Sequence, residues 1–279
     1  LVAQRFILPQ VQDVASKCYP GCYMTTCDLQ DGFYGIEVRG EDRKYLGLRH
    51  PRTGKYYRYS RLAMGAACSP AAFSRLVAWA MREARKYDEF KVARVVVNDS
   101  DPSMPRVYGV GKDGAPVATM SWFVDDGCIV APTKERCTAA YNRLLWILES
   151  RLGWRISRRK TRGPAQRVEF CGLELDSMGS GVGGPCTRLS EERRTKCLNA
   201  LREFKRQYLW RRMAPRREMA SLVGQLSFAS NAIPAGRCFL SRLYQAIHEM
   251  GEEKTGKAAD YDRHVKVTGA AALDIRWWE

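Results

Sequence analysis

Apolar and polar positions along this chain follow two periods, and the changes between them outline its elements. Residues 23–29 form an apolar run that reads as a strand, and residues 35–38 look like a further short extended piece. Residues 44–49 and 56–62 are β-like and are separated by His-Pro-Arg-Thr-Gly-Lys, which predicts a hairpin with a basic tip. After Ser69-Pro70 the spacing becomes helical. Phe73, Leu76, Val77, Ala80 and Met81 lay one apolar stripe along residues 71–86, with Pro70 suited to the first turn. Two short aromatic and β-branched arms, residues 118–124 and 128–130, then flank Asp125-Asp126-Gly127 and predict a hairpin with two acids at its tip. A second amphipathic helix is predicted over 133–152, followed by a basic stretch, a strand over 168–175 and a flexible turn at 179–184.

From Ser190 onward the pattern is helical. Ser190 is an N-cap candidate with Glu191 and Glu192 in the first turn, and Leu198, Leu201 and Phe204 continue that face. A second helix begins near Pro215 with Met219, Leu222, Val223 and Leu226. A third, near Gly236, carries Phe239, Leu240, Leu243, Tyr244 and Ile247, so a small bundle is predicted. Strands mixed with helices, then helices alone, give an α+β class with a domain boundary near residue 177. Residues 87–116 read as an exposed excursion containing a valine strand. Gly109-Val-Gly-Lys within it is not a phosphate loop, because Arg106 stands where that motif needs glycine.

Charge narrows the class of partner. With 46 basic and 30 acidic residues the chain carries a formal +16, and clusters such as 155–162 and 211–217 suit phosphate backbones better than a merely solubilising surface. Ten cysteines are mostly isolated, and no Cys-x-x-Cys pair or nearby histidine completes a zinc set. Neither a secretory leader nor an apolar run able to span a bilayer is present, so an intracellular, reduced setting without membrane is expected. The chain starts at Leu1 and reads as part of something longer.

Candidate chemistry centres on Asp125 and Asp126. Adjacent carboxylates repel and are costly beside an apolar sheet unless a hard cation such as Mg²⁺ neutralises them; the plain alternative is a solvated turn. Asp28 ends an apolar strand in Cys27-Asp28-Leu29-Gln30-Asp31-Gly32-Phe33, where a turn-forming role is again the alternative. Leu62 to Pro70 is a run of small residues entering a helix, which lets another chain approach closely. Together and in this order, these elements resemble the motifs of the reverse transcriptase family. Lys160 fits the lysine of a fourth motif, and Phe170-Cys-Gly-Leu-Glu-Leu-Asp looks like the hairpin that grips the primer.

The resemblance implies a right-hand polymerase palm, an antiparallel sheet with packed helices, plus a small helical thumb and incomplete fingers. Residues 1–62 would be partial fingers and the first palm strand, 63–176 the palm with an insertion at 87–116, 177–258 the primer-grip turn and thumb, and 259–279 a connection towards an RNase H domain. It implies RNA-directed DNA synthesis with deoxynucleoside triphosphates on an RNA or DNA template-primer, using two Mg²⁺ ions, with Mn²⁺ as a substitute. Asp28, Asp125, Asp126 and the Leu29 carbonyl would hold the ions. Leu29, Gln30, Asp31, Gly32, Phe33, Met64 and Gly65 would line the nucleotide, with Phe33 below the sugar, where its other reading is core packing. Lys160 would protonate the leaving pyrophosphate or would simply be one cation of a solvated turn. Residues 217–230 and 234–244 resemble the thumb of tyrosine-recombinase (DIRS-type) retrotransposons. Ala63 stands where relatives carry proline, Met64 where several carry glutamine, and most upstream fingers would precede Leu1. The alternative function is a domesticated, non-catalytic RNA-binding scaffold. Oligomeric state is not indicated.

Overall fold

The structure, a computed structural model, describes residues 11–101, 103–179, 184–248 and 263–279. The chain divides into two compact units, Leu1–Cys171 with Leu175–Cys186, and Gly172–Glu174 with Thr187–Glu279.

The first unit contains α1 (Val11–Ala15), β1 (Tyr23–Gln30), β2 (Gly47–Arg49), β3 (Tyr56–Arg58), α2 (Ser69–Ala84), β4 (Arg94–Val97), β5 (Val107–Val110), β6 (Thr119–Phe123), β7 (Asp126–Ala131) and α3 (Lys134–Trp146). After these come β8 (Arg155–Ile156), β9 (Arg162–Ala165) and β10 (Arg167–Phe170). Its main sheet runs β6-β7-β1-β8, with β9 also on β1. β1 pairs antiparallel with β7 from Tyr23↔Ala131 to Asp28↔Asp126, while its other edge takes β9 at Met24 and Thr26 and β8 at Leu29 and Gln30. A strand flanked on both edges and buried on both faces needs apolar and β-branched residues throughout, which Met24-Thr25-Thr26-Cys27 supplies.

Strand alternation then sorts the side chains. Cys27, Leu29, Met120, Trp122, Ile129 and Ala131 join Phe73, Val77 and Ala80 of α2 and Leu144 of α3 in one core. Met24, Cys128 and Val130 point the other way, onto Val14, Cys18, Cys22 and Phe170. Asp28 and Asp126 share the parity of this second set, so they emerge from the face opposite α2 and α3.

Several elements differ from the sequence pattern. The strand expected over 168–175 is two strands, β10 and β11 (Leu173–Asp176), because Cys171 and Gly172 take left-handed φ values of 50° and 77°. Neither β8 nor β9 was signalled: their basic, glycine- and proline-containing residues lack alternation, and the open edge of β1 orders them. The β2–β3 hairpin is shorter than expected, residues 43–45 forming a 3₁₀ turn before it. The 87–116 stretch contains the antiparallel β4–β5 hairpin. α3 widens into a π-turn over Ile147–Arg151, which completes the helix expected to reach residue 152. The turn expected at 179–184 lies, over 180–183, outside the described residues.

After β12 (Cys186–Leu189) the second unit holds α4 (Glu191–Phe204), β13 (Met213–Pro215), α5 (Arg216–Ala229), α6 (Ser241–His248), β14 (His264–Lys266) and α7 (Gly269–Trp277). Leu201, Phe204, Met219, Leu222, Leu226, Leu243 and Ile275 form its core. The three expected helices do share one core, which among the described residues is joined by a further helix, α7, and β13 pairs antiparallel with β14. The third helix starts at Ser241 rather than near Gly236, because Pro234–Phe239 is a 3₁₀ turn. Ser190 sits at the α4 N-cap, but its hydroxyl makes no capping bond. Among the described residues, no helix is long and apolar enough to cross a membrane.

Candidate active site

The acids are set by backbone register. Asp28 lies directly opposite Asp126 on β7, and Phe123 closes the β6–β7 hairpin on Asp126's other side, leaving Val124-Asp125 as its two-residue turn. Leu29 N–H donates to the Asp125 carbonyl at 2.9 Å, tying the turn to β1. Val124 has φ 51°, a conformation that costs a β-branched residue on the order of 1–3 kcal/mol and persists only where the surroundings enforce it. The Trp122 indole N–H, which donates to the Val124 carbonyl, is one such restraint. Gly127 is the other: a Cβ there would fall 2.4 Å from the Trp122 ring and 2.9 Å from Cys27 Sγ. Only glycine lets the indole close over the hairpin.

Like charges directly opposite across strands are destabilising, and this site holds three carboxylates. Burial above all, then Asp28 and Asp126, push Asp125 up to about 6, against which Lys160 acts weakly. Asp126 is also raised, by burial first and Asp28 second, while the Cys171 thiol, donating to Asp126 Oδ2 at 3.7 Å, opposes the shift. Lys160 Nζ donates to Asp28 Oδ1 at 3.1 Å and is the one ammonium bonded to the acids among the described residues. Among the described residues, Asp125 Oδ1 is buried without a hydrogen-bond partner. It faces Gly32, where a Cβ would stand 2.6 Å from that oxygen and 2.9 Å from the Phe73 ring.

Among the described residues no three His, Cys, Asp or Glu side chains converge tightly enough to hold a metal ion. Asp28 is turned to Lys160 and Asp126 to Cys171, which accounts for the spread. The donor chemistry nevertheless fits a hard divalent cation. An orphaned, buried carboxylate oxygen flanked by two further carboxylates lacks positive charge, and oxygen ligands suit Mg²⁺.

The remaining candidates divide. Phe33 is 8% exposed and stacks on Phe73 at 4.9 Å, which in turn stacks on Trp154 at 5.2 Å, so its ring belongs to the core, and it is the Phe73 ring that reaches Gly32 beside the acids. Asp31 takes a left-handed φ of 55° and adds slightly to the charge around Asp125. Gln30 is exposed and pairs with Arg155. Met64 is 58% exposed, and no hydrogen bond or ring contact among the described residues ties it or Gly65 to the acids. Phe73 was legible only as part of the α2 stripe and Trp122 only as part of an aromatic strand arm, and no local pattern singled out Trp154. Cys171 was legible only as part of a motif, since its approach to Asp126 spans 45 positions.

Residues 5–175 match the family described as reverse transcriptase (RNA-dependent DNA polymerase). Among curated proteins, no sequence match is found. Similar solved structures include the foamy viral protease-reverse transcriptase dRH in complex with double-stranded DNA, at TM-score 0.59 and 17% identity over 99% of this chain and 37% of that one. The foamy viral protease-reverse transcriptase with an RNA/DNA hybrid gives TM-score 0.59 and 16% identity over 99% of this chain and 29% of that one. Its complex with double-stranded DNA gives 0.56 and 17% over 99% and 44%. At such identities the likeness is one of fold, an α+β polymerase architecture, and the chain spans less than half the length of each of these three chains. With the family match covering more than half of its residues, this chain belongs to the reverse transcriptase family.

Proposed function

We propose that the chain is the RNA-directed DNA polymerase domain of a retroelement, extending a primer with deoxynucleoside triphosphates. The observation that carries this reading is the Asp28↔Asp126 register beside the partnerless Asp125 Oδ1, a carboxylate set that is costly without bound cations. Asp28, Asp125, Asp126 and the Leu29 carbonyl would hold two Mg²⁺ ions, with Mn²⁺ as a substitute. When bound, such ions stabilise the attacking and leaving oxygens of nucleotidyl transfer. Phe33, braced by Phe73, would present a fixed ring edge to the sugar and disfavour a 2′ hydroxyl. Gly32 leaves the Asp125 carboxylate its space. Lys160 holds a proton at Nζ and would pass it to the departing pyrophosphate once Asp28 is released from it. Gln30, Asp31, Met64 and Gly65 would complete the nucleotide surround.

In this reading residues 1–62 are partial fingers and the first palm strand, 63–176 the palm, 177–258 the primer grip and thumb, and 259–279 the connection. The foamy viral relatives were solved with double-stranded DNA and with an RNA/DNA hybrid, which supports a template-primer as the partner. The thumb segments 217–230 and 234–244 support a DIRS-type origin. Primer extension on RNA and DNA templates with Mg²⁺ tests the proposal. Template-dependent incorporation that Asp125→Asn abolishes is expected. RNA binding without any extension would replace it with the scaffold reading.

A further inference from the structure

Outside the acids, the most unusual surface of the first unit is the β2–β3 hairpin. Residues 43–61 contain seven Lys and Arg residues, four tyrosines and no acid. Every residue of both strands is exposed, so neither face rests on a core. Tyr56 is 80%, Tyr45 61% and Tyr57 52% exposed. An isolated two-stranded ribbon gains little from leaving such rings in water. Of the seven cations only Arg43 meets a carboxylate, Glu37 at 2.8 Å, among the described residues. Register places Arg49 opposite Tyr56 and Gly47 opposite Arg58, so Arg49, Tyr56 and Arg58 share one face, while Leu48 and Tyr57 share the other. The Arg49 guanidinium lies over the Tyr56 ring at 5.9 Å on the ribbon, and Lys44 lies over Tyr45 at 5.1 Å in the turn that precedes it.

We infer that this hairpin is a binding surface for single-stranded nucleic acid, its cations on the phosphates and its exposed tyrosines stacked on bases. Charge selects this occupant. An apolar protein partner would have to desolvate an uncompensated cluster of cations, whereas a polyanion releases counterions on meeting it. Exposed rings select the single strand, because paired bases hide their π-faces and unpaired ones offer them. Identifying that strand as template rests on the polymerase reading; the binding surface itself does not.

The test uses the whole chain, fluorescence anisotropy with a labelled oligothymidylate and a duplex of matched length, and a salt series. Arg49→Gln/Lys55→Gln/Arg58→Gln is expected to reduce the slope of log affinity against log salt by about 2 for the single strand. Tyr56→Ala is expected to weaken oligothymidylate binding about tenfold and Tyr56→Phe to restore it. Unchanged melting would show the fold intact, since these side chains join no core. Asp125→Asn should abolish extension and leave oligothymidylate binding as it was, so a failed polymerase reading and a failed hairpin are told apart. Single-strand affinity and salt slope unchanged in both hairpin variants would overturn the inference. So would a drop in self-association by light scattering with oligothymidylate binding intact, which would make the ribbon a contact between copies.

Discussion

Asp125→Asn is a stability experiment as well as an activity one, and the two effects run in opposite directions. Raising the Asp125 carboxyl from its ordinary 3.8 to about 6 corresponds to about 3 kcal/mol against its charged form. The group is only half-buried, so solvent screening reduces this to about 1–2 kcal/mol. Because the folded state holds the proton more tightly than the unfolded chain, the favourable contribution is complete below pH 3.8 and is lost as pH rises through about 6. At pH 7 the parent therefore carries the full penalty, and asparagine, which cannot ionise, does not. The buried position of Oδ1 stays partnerless in both proteins and cancels to first order. With metal chelated, the variant should melt about 3–6 °C higher than the parent at pH 7, and the gap should close near pH 4. Mg²⁺ should then raise the parent's Tm and move the variant's much less, since a cation stabilises by its affinity for the folded site. Differential scanning calorimetry at both pH values, with EDTA and with Mg²⁺, measures all of this. A variant that is less stable than the parent without metal, or a gap that ignores pH, would refute the electrostatic account.

Other substitutions test the geometry around the acids. Gly127→Ala forces a methyl against the Trp122 ring and Cys27 Sγ and should cost about 1–3 kcal/mol in denaturant melts. Gly32→Ala places its methyl 2.6 Å from Asp125 Oδ1, so primer extension should fall sharply while oligothymidylate binding persists. Phe73→Ala removes the middle ring of the Phe33-Phe73-Trp154 stack; it should cost about 3–5 kcal/mol and raise ribonucleotide incorporation in competition assays by freeing Phe33. Lys160→Gln breaks an ion pair whose ammonium is exposed while its carboxylate, on Asp28, is mostly buried; the exposed partner keeps the change in Tm to an equivalent of about 1 kcal/mol, while single-turnover extension slows about 100-fold if Lys160 supplies the proton.

The local sequence determined a good deal here. Period-2 and period-3.6 patterns marked the β6–β7 hairpin, α2, α3, α4 and α5, because each buries a recognisable stripe or face, while β1 was marked by its apolar run and β2–β3, which buries neither face, by its β-like arms and turn residues. Asp28, Asp125 and Asp126 were legible as strand-end and turn acids, with the motif order adding the family. What local pattern could not reach was pairing. β8 and β9 are ordered by an edge of β1 that lies far away in the chain, and β13 and β14 find each other across some fifty residues. The β10–β11 break depends on a left-handed cysteine, a conformation no periodicity announces. The register of β1 against β7 put Asp28 opposite Asp126, where a slip of one residue would have turned one of them onto the helix-covered face. Composition therefore chose the acids, and tertiary pairing decided that their charges meet.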